Sequence, residues 1–96
     1  NNIDKFESNW LMNNIKTIKG LYLNKNKFER IKSSFFNSIL LLERLFIAYN
    51  KISSIDRNSF INLTYLQSID LSNNCIFNLD KELFLNKPLL RYLNLS

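Results

Sequence analysis

LERLFIAYNKISSIDRNSFINLTY, residues 42–65, decides the architecture of this chain, because the segments on either side repeat its spacing without a gap. With Leu42 as slot 1, apolar residues fall at slots 1, 4, 6, 11, 14, 19 and 22 (Leu42, Leu45, Ile47, Ile52, Ile55, Phe60, Leu63), and Asn50 stands at slot 9. Shifting upstream by 24 residues fills the same slots with Ile18, Leu21, Leu23, Phe28, Ile31, Phe36 and Ile39, and slot 9 with Asn26. The same shift downstream gives Leu66, Ile69, Leu71, Ile76, Leu79 and Phe84, with Asn74 at slot 9 and Lys87 in the otherwise apolar slot 22. A fourth copy opens with Leu90, Leu93 and Leu95.

The spacing has a physical reading. Slots 4 and 6 lie two residues apart, so their side chains share one side of a short strand while their neighbours face the other way. One such strand cannot bury its apolar side alone. Copies stacked in parallel about 4.8 Å apart share a continuous core. Asn26, Asn50 and Asn74 sit where the chain turns inward out of the strand, and a short amide there both donates to and accepts from the backbone groups that the turn frees. The pattern therefore predicts a buried asparagine ladder. Phe36, Phe60 and Phe84 at slot 19 are expected to stack as a second, aromatic row on the outer side of the core.

On this register, residues 1–96 form one repeat array. Three full repeats occupy 18–41, 42–65 and 66–89, and 90–96 begins another. Residues 1–17 read as the rear of an earlier repeat: Asn1, Ile3 and Phe6 take slots 9, 11 and 14, Leu11 or Met12 and then Ile15 complete the return, and one extra residue precedes Ile18. Neither end shows a capping element, so the chain is expected to be a fragment. It contains one Gly and one Pro, which leaves no flexible linker, and at 46% hydrophobic and 22% charged its composition is that of a globular protein.

Several function classes have nothing to stand on. The chain has no His, the commonest general base and zinc ligand. No phosphate-cradling, metalloprotease or nucleophile-elbow motif occurs. Neither an enzyme nor a cofactor or metal site is expected. Cys75, the only cysteine, takes variable slot 10 and reads as a small, partly buried side chain; pairing with a cysteine outside this chain is the sharper alternative. The most apolar run, 35–49, is broken by Glu43 and Arg44 and is too short to span a bilayer, so this segment is not expected to insert into a membrane.

Of the net charge of +5, a surplus of four lies in residues 1–48, where eight Lys or Arg face four acids. Lys16, Lys27, Arg30 and Lys32 fall on return segments rather than strands. Scattered solvated charge accounts for them better than a nucleic-acid surface does.

The LxxLxLxxNxI phrase of each copy resembles the leucine-rich repeat family, whose periods run from about 20 to 29 residues. The 24-residue period, the Phe at slot 19 and the phrase FINLTYLQSIDLSNNCI, residues 60–76, are similar to the repeats of extracellular receptors of the Toll-like type. That resemblance implies an α/β fold: a right-handed leucine-rich-repeat solenoid with a parallel concave β-sheet and a convex side of short helical turns and irregular loops. It also implies recognition without chemistry, as part of an extracellular or cell-surface, receptor-type ectodomain in signalling or immunity, with a protein ligand or co-receptor as partner. Full receptors of that kind carry cysteine-rich caps, a membrane span and a signalling domain, none of which is expected within residues 1–96.

Strand slots that avoid the core, 3, 5, 7 and 8, are read as the inner surface of the curve. Slot 5 runs Tyr22, Phe46, Asp70, Asn94; slot 3 runs Gly20, Arg44, Ser68, Tyr92; slot 8 runs Lys25, Tyr49, Asn73. Tyr22, Lys25, Arg44, Phe46, Tyr49, Asp70 and Tyr92 are the candidate binding residues, with Tyr22, Phe46, Tyr49 and Arg44 forming an aromatic patch and Asp70, Ser72 and Asn73 a polar rim. Packing between strands is the plainer account of the aromatics. Alternative roles are structural spacer repeats, an intracellular scaffold, and a polyanion or nucleic-acid surface built on Lys19, Lys25 and Arg44. Two sequons, Asn62-Leu63-Thr64 and Asn94-Leu95-Ser96, make Asn62 and Asn94 candidate glycosylation sites and favour the extracellular reading.

Overall fold

A computed structural model describes residues 17–96; the half-repeat reading of Asn1, Ile3, Phe6, Leu11, Met12 and Ile15, and Lys16, lie outside them. The described chain forms six short strands, β1 (Gly20–Tyr22), β2 (Arg30–Ile31), β3 (Arg44–Phe46), β4 (Ser54–Ile55), β5 (Ser68–Asp70) and β6 (Tyr92–Asn94). Four of them, β1-β3-β5-β6, make one parallel sheet, and every pairing joins equal slots: Leu21 faces Leu45, Leu45 faces Ile69, and Ile69 faces Leu93. This is the α/β solenoid that the 24-residue period predicts.

Each coil places slots 4 and 6 inward, which buries Leu21, Leu45 and Ile69 in one layer and Leu23, Ile47 and Leu71 in the next. Removing each such side chain from water stabilises the fold by about 1.5 to 3 kcal/mol. Phe28 and Ile52 continue the core past the turn, and the slot-19 rings close it from the far side. Phe36 and Phe60 lie 6.0 Å apart and Phe60 and Phe84 6.2 Å apart, both tilted by 33°. These are offset contacts of the sort aromatic pairs prefer over a face-to-face sandwich.

Two features depart from the periodic expectation. Where the pattern predicts only helical turns and irregular loops, slots 13 and 14 of the first two full repeats pair as a second parallel sheet, β2 with β4, Arg30 facing Ser54 and Ile31 facing Ile55. Ile31 and Ile55 are β-branched, the first buried and the second half-buried, which suits a pleated segment. In the third repeat the equivalent residues, Asn78 and Leu79, form no strand, and a 3-10 helix, Lys81–Phe84, follows instead. Asp80 caps that helix by accepting from the Glu82 N–H.

Lys87 is the second departure. It fills the slot that holds Ile39 and Leu63 in the other repeats, and only 9% of its surface stays exposed. Its Nζ donates to the Leu85 carbonyl at 3.2 Å, so the apolar stem lies in the core while the ammonium reaches the rim. Burial pulls its pKa below the usual lysine value.

A candidate protein-binding face

The ladder asparagines shape the end of each strand. Asn50 Nδ2 donates to the carbonyls of Leu23 (3.0 Å), Ala48 (3.1 Å) and Ile47 (3.2 Å), while its Oδ1 accepts from the Phe28 N–H at 3.2 Å. One coil on, Asn74 repeats the arrangement with Ile47, Leu71 and Ser72 as acceptors and the Ile52 N–H as donor. Asn26 donates to Leu23 and Asn24. The Asn50 and Asn74 amides thus tie their own turns to the coil before, and no buried side-chain nitrogen or oxygen among the described residues lacks a partner.

That turn corrects the assignment of slots 7 and 8 to the open strand face. Slot 8 takes left-handed backbone in all three repeats, with φ of 61° at Lys25, 57° at Tyr49 and 57° at Asn73. Asn tolerates this conformation, whereas a bulky residue such as Tyr adopts it rarely. Tyr49 is therefore a turn residue, 56% exposed, standing past the end of β3 rather than on it. Slot 7 is not open surface at all in two repeats: Ala48 and Ser72 are buried. The Ala48 N–H donates to Asn24 Oδ1 at 2.7 Å, so a polar residue at slot 7 in one coil holds the backbone of the next.

Slots 3 and 5 make the outward face of the sheet. Parallel register sets Tyr22 beside Phe46, with ring centroids 5.2 Å apart and tilted by 45°. Arg44 Nε donates to the Tyr22 hydroxyl at 2.8 Å, and Nη1 lies 3.6 Å from Glu43 Oε1. The hydrogen bond to the Tyr22 oxygen, helped by Glu43, holds the guanidinium pKa above its already high value. Tyr22 remains 59% exposed.

Gly20, the chain's only glycine, makes this packing possible. A methyl group added there would come within 2.8 Å of the Tyr22 ring, 2.9 Å of its hydroxyl and 3.1 Å of Arg44 Nη2. A Gly inside a strand signals a close approach, and that signal is present in the sequence.

Further along the sheet the face changes character. Asp70 turns onto its own chain, accepting from the Ser72 hydroxyl at 2.6 Å and the Ser72 N–H at 3.0 Å. Asn94 does the same with Ser96, at 2.8 and 3.1 Å, and its Nδ2 donates to the Tyr92 hydroxyl. Tyr92 is exposed at the β6 edge, far in register from the Tyr22–Phe46 pair, so the seven candidate residues do not form one cluster. Asn62 is exposed in the turn that follows Phe60. Cys75 is exposed rather than partly buried, because slot 10 points off the flank of the coil. Among the described residues no cluster of His, Cys, Asp and Glu is able to hold a metal ion, and no helix is long and apolar enough to cross a membrane.

The family described as leucine rich repeat matches residues 16–76 and, in an overlapping second match, 41–96. No curated protein matches the chain.

Proposed function

This chain belongs to the leucine-rich repeat family, whose repeats typically mediate protein binding, and we propose that the outward face of β1 and β3 is its protein-binding surface, with Tyr22, Arg44 and Phe46 at the centre and Tyr49 and Lys25 at its edge. One observation carries the reading: a large, half-open aromatic pair is held in place by an arginine although the core beneath it is already filled by Leu21 and Leu45. Tyr and Arg dominate interface hot spots, and side chains fixed before contact lose little freedom on binding. The left-handed Tyr49 adds to it, since an exposed aromatic in a strained turn gains nothing from the fold itself.

Selection of displayed peptides against the chain tests this. Selected binders should lose at least about tenfold in affinity for the Tyr22→Ala/Phe46→Ala double variant, equivalent to about 1.4 kcal/mol. They should bind the return-segment variant Arg30→Gln/Arg57→Gln as they bind the parent. Equal binding to all three proteins would favour a spacer role for these repeats.

The same proposal places the segment in an extracellular, receptor-type ectodomain that presents this face to a protein ligand or co-receptor. Its support is the Asn62-Leu63-Thr64 sequon, whose Asn62 is exposed in a turn outside the sheet strands. Secretion from a glycosylating host should yield a glycosidase-sensitive mass increment that Asn62→Gln removes. A secreted chain unmodified at Asn62 counts against it.

A further inference from the structure

On the return segments the arginines are ion-paired, while Lys27, Lys32, Lys51 and Lys81 have no ion pair among the described residues. Arg30 pairs with Asp56 at 3.0 Å, and Arg57 pairs with Asp80 at 2.8 Å and Glu82 at 3.5 Å. Beside the aromatic pair the arginine is less engaged. Lys19, just before β1, and Lys25, in the turn after it, have no ion pair among the described residues, and Arg44 meets only Glu43, at 3.6 Å. Asp70, in register beside Phe46, accepts both Ser72 bonds at Oδ1 and keeps its charge, so a partner's acid is directed to the β1 side of the pair.

Hydrogen-bond direction sharpens this. The Tyr22 oxygen accepts from Arg44 Nε, so its own O–H points elsewhere, and no acceptor among the described residues receives it. That hydroxyl and the Arg44 Nη groups offer donors at one place beside an apolar ring pair. The acceptor that suits such a donor set is an oxyanion, carboxylate or phosphate, to which a guanidinium fork and a phenol make short, charge-assisted bonds.

We propose, building on the reading of this face as protein-binding, that its partner is an acidic segment of a protein. One carboxylate of that segment seats on Arg44 and the Tyr22 O–H, an apolar side chain lies against Tyr22 and Phe46, and Lys19 and Lys25 hold flanking acids. A nucleic acid fits less well, because a phosphate chain needs cations along its track. Beyond β3 the strands present only Ser68, Asp70, Tyr92 and Asn94.

The test uses the full chain and a short fluorescein-labelled peptide alternating Glu and Leu, with a Lys–Leu peptide and a single-stranded oligonucleotide as comparison probes. The Glu–Leu peptide should bind, and the Lys–Leu peptide should not. Arg44→Gln should weaken the complex by on the order of tenfold or more. Gly20→Ala, which displaces the Tyr22 phenol, should weaken it less, and Arg30→Gln/Arg57→Gln should leave it unchanged. Binding indifferent to Arg44→Gln overturns the proposal, as does tighter, Arg44-dependent binding of the oligonucleotide. The two readings separate cleanly. If Tyr22→Ala/Phe46→Ala abolishes capture of selected peptides while Arg44→Gln does not, the protein-binding face stands and its acidic partner falls.

Discussion

Residues 18–65 and residues 66–89 follow one register, yet equal slots do different work in the two regions. In the first, slot 5 puts Tyr22 and Phe46 side by side across strands and leaves their outer surfaces open. In the second, slot 5 holds Asp70, whose Oδ1 accepts twice from Ser72 two residues later. Slot 22 is Ile39 and Leu63 in the first region and Lys87 in the second. Slots 13 and 14 pair as β2 and β4 in the first and remain unpaired in the second. The backbone frame is thus indifferent to what the variable slots carry. A polar residue there can close on its own turn and offer nothing outward, whereas an aromatic ring reaches its neighbour and stays available to a partner.

Substitution at paired slots probes that contrast, and the deepest slot should respond most. Phe60 is fully buried between Phe36 and Phe84, so Phe60→Ala should cost about 3 to 5 kcal/mol in urea unfolding. Phe84→Ala should cost less, since Phe84 is only half-buried and has a described ring neighbour on one side. Equal losses would show that the third repeat is packed as tightly as the second. Next in size, Asn50→Ala should cost about 1 to 3 kcal/mol by removing the amide that bonds buried backbone groups of two successive coils. Asn74→Ala should cost less, because water reaches that half-buried turn and replaces part of the lost bonding.

The smallest effect concerns Lys87 and has a definite sign. Its folded-state pKa is lowered by burial, so the unfolded chain binds the proton more tightly. Stability should therefore rise as pH climbs from that lowered value toward the ordinary lysine value near about 10.4. Lys87→Met should be more stable than the parent at neutral pH, and the gap should narrow through that alkaline window. Parallel pH profiles for the two proteins would mean that the ammonium is solvated in the native state.

Much of this fold is legible from periodicity alone. A 24-residue repeat of apolar slots implies parallel strands in equal register, and an Asn at slot 9 of each copy implies backbone groups to be satisfied, because both follow from where a chain of fixed geometry points its side chains. The Tyr22–Phe46 neighbour relation follows from the same register. Other features depend on atoms one full coil away, which no local pattern encodes. Burial of slot 7 arises as Asn24 bonds the Ala48 N–H of the next coil, and the left-handed slot 8 follows from the turn that the asparagine amides clasp. Only in three dimensions does Arg44 become the residue that fixes the Tyr22 ring, whereas the Gly20–Tyr22 approach and the Asp70–Ser72 clasp are local, each two residues apart. The repeat sets which side of the chain a residue occupies; contact between successive coils decides whether that residue is left free to meet a partner.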